Sequence, residues 1–103
     1  MSLPTYDQFM LPLLQLAAED GQMHSIAHLR EQLAQRLNIT PEQRIIKLPS
    51  GRQSIFDNRV GWANTYLRKA GLLSCPKRGY VQITQRGKAI LAWLNQQLMT
   101  LKC

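Results

Sequence analysis

Gln53-Ser54-Ile55-Phe56-Asp57-Asn58-Arg59-Val60-Gly61-Trp62-Ala63-Asn64-Thr65-Tyr66-Leu67-Arg68-Lys69-Ala70, followed by Gly71-Leu72, is the stretch on which the fold turns. At about 100° per residue, Phe56, Val60, Ala63, Leu67 and Ala70 fall within one narrow arc, the pattern of a helix with a single buried stripe. The opposite arc holds Ser54, Asn58, Gly61, Thr65, Arg68 and Lys69, with Trp62 at its edge and Asp57 and Asn64 nearer the boundary. Gly71 stands where a left-handed cap ends a helix, and Leu72 is placed for the apolar contact that accompanies such a cap. The spacing predicts a helix from about 53 to 70.

Working toward the N-terminus, Pro49-Ser50-Gly51 has turn chemistry. Before it, Thr40-Pro41-Glu42-Gln43 combines a hydroxyl cap, a proline at the first helical position and a glutamine three residues on. This is a capping box that predicts one short helix to about Lys47. Ser25 caps a longer helix with Ile26, Leu29, Leu33 and Leu37 on its apolar face, ended by Asn38. Tyr6, Phe9, Met10, Leu13, Leu14 and Ala17 predict a buried stripe on a first helix to Ala18, which Pro12 is expected to kink or delay. Glu19-Asp20-Gly21 is then a turn, and Gln22 to His24 has room only for a short extended segment.

Toward the C-terminus, Leu72 to Cys75 and Tyr80 to Ile83 read as strands joined by Pro76-Lys77-Arg78-Gly79, a hairpin over about 72–83 with a basic tip. Thr84 caps a last helix, about 85–101, whose expected buried stripe is Ile90, Leu91, Leu94, Leu98 and Leu101. The resulting fold class is mostly α with a small β-hairpin, in the element order of a winged helix-turn-helix.

With 103 residues the chain is expected to be a single domain, 1–103. Hydrophobic residues at 45% and charged residues at 18% exclude the composition of disorder. No apolar run approaches membrane-spanning length and the N-terminus lacks a signal pattern, so the expectation is a soluble cytoplasmic protein without membrane contact. Cys75 and Cys103 are too few for a disulfide scaffold and are expected to be free thiols.

Charge is unevenly divided. Residues 1–57 carry all six acids against five bases, whereas residues 58–103 carry eight bases and no acid, for a net +7 overall. Such asymmetry suits a polyanion, because each neutralised phosphate releases condensed counterions. The alternative is a basic surface that serves solubility alone, and charge does not choose among DNA, RNA and anionic lipid.

The outer arc of the 53–70 helix suits the major groove of double-stranded DNA, where reading side chains must be polar, short and free of carboxylates. Asn58 is the best direct reader, since an amide both donates to and accepts from adenine, while Ser54 and Thr65 offer hydroxyls to bases or phosphates. Gly61 either admits close approach of another backbone or packs against a neighbouring protein segment. Ser50-Gly51-Arg52 offers backbone N–H groups and a guanidinium to one phosphate at the helix N-terminus, or is only a turn and cap. Lys77 and Arg78 at the hairpin tip reach a phosphate or the minor groove, unless they are merely the solvated lysine and arginine of an exposed turn. Arg68, Lys69, Arg86 and Lys88 are backbone-positioning charges. Trp93, beside the last helix's stripe, is expected to be structural, and Trp62, between the faces, either packs at the core's edge or contacts a thymine or other 5-methyl group. The expected DNA-binding set is therefore Ser50, Gly51, Arg52, Gln53, Ser54, Asn58, Gly61, Trp62, Thr65, Arg68, Lys69, Lys77 and Arg78.

Catalytic chemistry is missing from the sequence. His24 and His28 are four apart, but no Cys, Asp or Glu accompanies them at ligand spacing, so no metal site is expected. There is no Gly-rich phosphate loop and no Gly-x-Ser-x-Gly elbow. No acid stands two residues before a lysine, the pairing that metal-dependent nucleases use. Glu19 and Asp20 read as a solvated turn. No catalytic residue and no cofactor is expected.

Leu48-Pro49-Ser50-Gly51-Arg52-Gln53, then Phe56-Asp57-Asn58-Arg59-Val60-Gly61-Trp62-Ala63, then Tyr66-Leu67-Arg68-Lys69-Ala70-Gly71-Leu72-Leu73, closely resembles the N-terminal domain of Mrr-type restriction endonucleases. Pro4-Thr5-Tyr6-Asp7, Pro12-Leu13-Leu14, Arg78-Gly79 and Ile83-Thr84 look like the same family, so the resemblance covers nearly the whole chain. It implies a winged helix-turn-helix module that delivers a nuclease domain, in cis in full-length relatives, to modified and typically methylated foreign DNA. The nuclease motifs of the family are absent from these residues, so the expectation is an excised recognition domain or a protein that works without cutting. The competing expectation is a protein-interaction or dimerisation winged-helix module without DNA contact, with Trp93, Leu94, Leu98 and Leu101 of the last helix as a dimer seam. A nuclease comes third.

Overall fold

The computed structural model describes residues 3–102, with side chains through Leu98. The expected burial of Leu101 and the thiol of Cys103 lie outside these described side chains. Among the described residues the order is α1 (Tyr6–Ala18), β1 (His24–Ser25), α2 (Ile26–Arg36), α3 (Pro41–Arg44), α4 (Ile55–Lys69), β2 (Leu73–Ser74), β3 (Tyr80–Ile83) and α5 (Gln85–Lys102). The fold is mostly helical with a small antiparallel sheet, the composition of a winged helix.

Local chemistry sets most boundaries. Ser25 Oγ accepts from His28 N–H at 3.1 Å and opens α2. At α3, Gln43 N–H donates to Thr40 Oγ1 at 3.1 Å while Thr40 N–H donates to Gln43 Oε1 at 2.9 Å, the reciprocal capping box expected. Asn38, at φ 55°, closes α2, with Ile39 N–H donating to Ala34 O. Gly71, at φ 78°, closes α4 in the same way: its N–H donates to Arg68 O and that of Leu72 to Leu67 O. A residue with a Cβ is disfavoured in that left-handed conformation, which is why glycine stands there.

Phe9, Leu13 and Leu14 of α1 meet Leu29 and Leu33 of α2 and Phe56, Val60, Ala63 and Leu67 of α4 in one core. Phe9 and Phe56 meet edge to face, 5.5 Å between centroids. Leu73, Val81 and Ile83 close the core from the sheet, and Leu91 does so from α5. β3 lies centrally, with β2 on one side and β1 on the other, pairing Leu73 with Ile83 and His24 with Val81. The short segment after α1 is thus the third strand of a sheet, not an isolated extension.

Several expectations are corrected. α1 runs unbroken through Pro12, and α3 stops at Arg44, three residues before the expected Lys47. α4 starts at Ile55, not at Gln53, because Ser54 is its cap. Ala70 is exposed, since the turn at Gly71 carries the chain away before another helical turn would bring it to the core. Tyr6 is exposed and stacks on Tyr66 at 5.1 Å instead of entering the core, while Leu16 is buried. The last helix departs most. Leu91 is buried and Leu94 half-buried, but Ile90 is exposed, and Leu98 and Trp93 are 53% and 55% exposed. Gly87 and Leu91 are the buried residues of this helix among the described side chains, so the apolar spacing beyond them marks a face that the core does not cover.

Candidate nucleic-acid interface

α4 is held by its inner face, and its outer face is left to solvent. Ser54, with extended backbone, accepts the Asp57 N–H on Oγ at 3.0 Å, so this hydroxyl is engaged in capping. Preceding it is a feature that the sequence reading did not anticipate, a two-stranded ribbon from Ile46 to Ile55. Lys47 bridges Ser54, Leu48 N–H donates to Gln53 O at 3.0 Å, and Ile55 N–H donates to Ile46 O at 2.8 Å. Residues Ser50, Gly51 and Arg52 form the ribbon's exposed tip, not the helix N-terminus, and Gly51 at φ 72° makes the turn. The Gly51 N–H is taken by Leu48 O at 2.8 Å and the Arg52 N–H by Ser50 Oγ at 3.4 Å. What the tip offers outward is therefore the Arg52 side chain. Ile45-Ile46-Lys47-Leu48 and Gln53-Ser54-Ile55 on either side of a Pro-Ser-Gly turn were the available signal for this hairpin.

Three depressions follow α4 from end to end. The first, about 610 Å³, lies between α2, α3 and the ribbon and includes Lys47, Arg52, Gln53 and Ser54 in its wall. The second, about 270 Å³, is enclosed by Gln53, Asn58, Gly61, Trp62 and Thr65. The third, about 420 Å³, separates the end of α4 from the hairpin and is lined by Thr65, Arg68, Lys69, Leu73, Ser74 and Cys75. Gln53 is shared by the first and second and Thr65 by the second and third, so they form one track, with bases at both ends, the paired carboxylates of Glu31 and Asp57 at the first, and amides and hydroxyls between. Eleven of the thirteen expected contact residues lie on this track or at its ribbon end. Lys77 and Arg78 line none of the three depressions. They stand exposed at the β2–β3 tip, Lys77 Nζ resting 4.2 Å from the Tyr80 ring centroid.

The ion pairs sharpen the charge asymmetry. Arg36 pairs with Glu19 at 2.6 Å, Arg30 with Asp57 at 3.4 Å, and Arg44 with Glu31. Arg59 is used inside the fold, its Nη1 donating to the carbonyls of Leu3 and Pro4 at 3.0 and 3.1 Å. Among the described residues no ion pair engages Lys47, Arg52, Arg68, Lys69, Lys77 or Arg78. Glu31 and Asp57, in the wall of the first depression, are thus taken up by Arg44 and Arg30, which leaves Lys47, Arg52, Arg68 and Lys69 along the track and Lys77 and Arg78 at the hairpin tip uncompensated, the arrangement that attracts a polyanion.

Within the track, Asn58 Nδ2 donates to Gln53 Oε1 at 3.2 Å, and Thr65 Oγ1 donates to Gly61 O at 3.0 Å. Trp62 is 48% exposed and begins an aromatic row, 6.1 Å from Tyr66, which in turn stacks on Tyr6. Away from the track, His24 Nε2 lies 2.8 Å from Asp20 and its ring stacks on His28. The Gln22 N–H and then His24 hold the Asp20 carboxyl below its ordinary pKa. Among the described residues no three His, Cys, Asp or Glu side chains converge as a metal site, and no helix is long and apolar enough to cross a membrane. Cys75 is a free, exposed thiol.

Residues 6–93 match the family described as the Mrr N-terminal domain. Over 87 residues, 84% of this chain, the sequence is 34% identical to the type IV methyl-directed restriction enzyme EcoKMrr of Escherichia coli (strain K12). That match takes in 28% of the enzyme's length, so the chain spans less than a third of this relative. No solved structure matches.

Proposed function

The chain belongs to the Mrr N-terminal domain family, and from that premise we propose that it is the DNA-binding module of a restriction system. α4 enters the major groove of double-stranded DNA, the β2–β3 hairpin acts as the wing beside it, and the ribbon tip lies over a phosphate. Methylated DNA is included as a ligand because EcoKMrr is described as methyl-directed. The observation that carries this reading is the continuous track along α4, amides at its centre and unpaired bases at its ends. Major-groove recognition asks for that division: charge positions the duplex on its phosphates, and neutral donors and acceptors read base edges. The cutting activity belongs to a nuclease domain that the longer relatives carry in cis, and this module delivers it.

A salt titration of binding to matched unmodified and methylated duplexes tests the proposal, since the slope counts phosphates at about 0.9 per contact and the ratio of affinities reports modification. Arg78→Glu is expected to weaken binding to every duplex and to flatten the salt slope by about one contact or more. Asn58→Ala is expected to leave the slope unchanged and remove about 1–3 kcal/mol of discrimination between duplexes. Equal losses from both variants on all duplexes would remove the reading role of Asn58. Binding that ignores salt would remove the phosphate contacts altogether.

A second reading is favoured by α5, whose stripe runs from buried Leu91 through half-buried Leu94 to exposed Leu98, with Trp93 alongside. Residues 89–101 contain no charged side chain, so two copies can meet along that stretch without like charges within it, although Arg86, Lys88 and Lys102 flank it. Dimerisation through α5 leaves α4 free and is compatible with DNA binding. Sedimentation tests the seam: a dimer that persists without DNA and is lost in Leu98→Lys supports it, and a monomer at all concentrations removes it.

A further inference from the structure

Gly61 has no use inside the fold. It stands mid-helix, where glycine is less favourable than alanine, and it is not among the residues at positive φ. A Cβ added there meets nothing within 4 Å. The other glycine inside a helix, Gly87, is the contrast: its Cβ would strike Leu72 O and come within 2.8 Å of Ile83 Cγ1. Packing against a neighbouring protein segment therefore accounts for Gly87 and not for Gly61. A glycine that neither backbone conformation nor packing demands, on the exposed side of the helix, leaves space for something outside the chain.

The walls around that space indicate what fits it. On one side the Asn58 and Gln53 amides are held together by the bond from Asn58 Nδ2 to Gln53 Oε1. The pair keeps an acceptor at Asn58 Oδ1 and donors at Asn58 Nδ2 and Gln53 Nε2. Thr65 directs its proton to Gly61 O, so that hydroxyl offers lone pairs only. On the other side stands the exposed indole of Trp62. No charged side chain lines the dent. Guanine presents two acceptors and is read chiefly by Arg or Lys, whereas adenine presents an acceptor and a donor together, the complement of an amide, and its partner thymine presents a methyl.

We propose that the dent over Gly61 seats one A·T base pair, the adenine edge on the Asn58–Gln53 amides and the thymine methyl over Gly61 against Trp62. This rests on α4 lying in the major groove and adds which base pair it reads there. Glycine is required because a side chain at 61 would occupy the place of the methyl.

The test begins with the full chain selecting duplexes from a pool with a randomised centre, followed by thermal melts and titrations of variants. The enriched duplexes should hold one A·T pair fixed. Replacing its thymine by deoxyuridine, or the pair by G·C, should weaken wild-type binding about tenfold. The deoxyuridine exchange should cost the Trp62→Ala variant nothing further. Gly61→Ala should raise the melting temperature by about 4–8 °C while weakening binding to the selected duplex about tenfold, two effects of opposite sign that misfolding does not produce. Full-strength binding by Gly61→Ala overturns the proposal, as does enrichment without a fixed A·T pair. A response to 5-methylcytosine opposite guanine equal to that of thymine opposite adenine overturns the adenine contact. Binding without base preference removes this seat and leaves the DNA module standing, whereas no retention of any duplex at low salt removes the DNA reading itself.

Discussion

Phe56→Ala should remove about 3–5 kcal/mol of stability, the loss typical of a large-to-small change at a fully buried aromatic. Phe56 has no exposed surface, lies edge-on to Phe9, and carries the Arg44 guanidinium 5.4 Å from its ring centroid. It therefore joins three elements, α1, α3 and α4, at one point. Native stabilities are only about 5–15 kcal/mol, so the loss is a large share of the whole. The same ring fixes the first turn of α4 and with it the direction in which Asn58 and Trp62 face. Denaturant unfolding measures the change. A loss below about 1 kcal/mol would mean that this contact is not the seat of α4, because even ordinary surface changes come within about half of that.

Gly87→Ala is the second large effect, with an expected loss of about 1–3 kcal/mol from overpacking. α5 approaches the corner between α4 and β2 so closely that a single added carbon collides with the Leu72 carbonyl and crowds Ile83. That carbonyl cannot simply move, because it accepts the Thr84 N–H at 3.1 Å, and the adjacent Gly71 carbonyl accepts from Thr84 Oγ1 at 2.6 Å. Thr84 Oγ1 in turn receives the Gly87 N–H at 3.0 Å and so caps the helix it docks. Thermal melting, with hydrogen exchange at the Leu72 and Thr84 amides, should show both the lower midpoint and early opening of this corner. A neutral or stabilising Gly87→Ala would refute the close approach. The same substitution at Gly61 is expected to act with opposite sign, which makes the two glycines a controlled pair.

How much was legible in advance depends on the range of the physics involved. The capping hydroxyls of Ser25 and Thr40, the helix ends at Asn38 and Gly71, and the inner stripe Phe56, Val60, Ala63 and Leu67 all follow from residues a few positions apart. Their partners lie in the same local window, so the signal is complete in the sequence. Ser54 shows the limit within that range: its oxygen accepts the Asp57 N–H as the helix cap, a role that the outer-arc reading passes over, while its O–H remains a donor. The ribbon from Ile46 to Ile55 is harder to read because the Thr40 to Gln43 box opens a helix strongly, and its continuation to Lys47 competes with the hairpin signal around Pro49-Ser50-Gly51.

From its order alone the chain determined a predominantly helical fold with a basic hairpin, the amide-bearing outer face of α4, and the concentration of unbalanced charge after residue 57, because periodicity, capping and net charge are properties of nearby residues. Only the tertiary structure decided that β1 pairs with β3, that Arg59 is committed to the carbonyls of Leu3 and Pro4, that Tyr6 stacks on Tyr66, and that Trp93 and Leu98 of α5 stay exposed. Each of these depends on which surface arrives opposite a side chain after the chain has closed on itself. Gly61 and Gly87 make the difference plain: both are glycines inside helices, and what separates them is a carbonyl of Leu72, fifteen positions away in the chain, that reaches one and not the other.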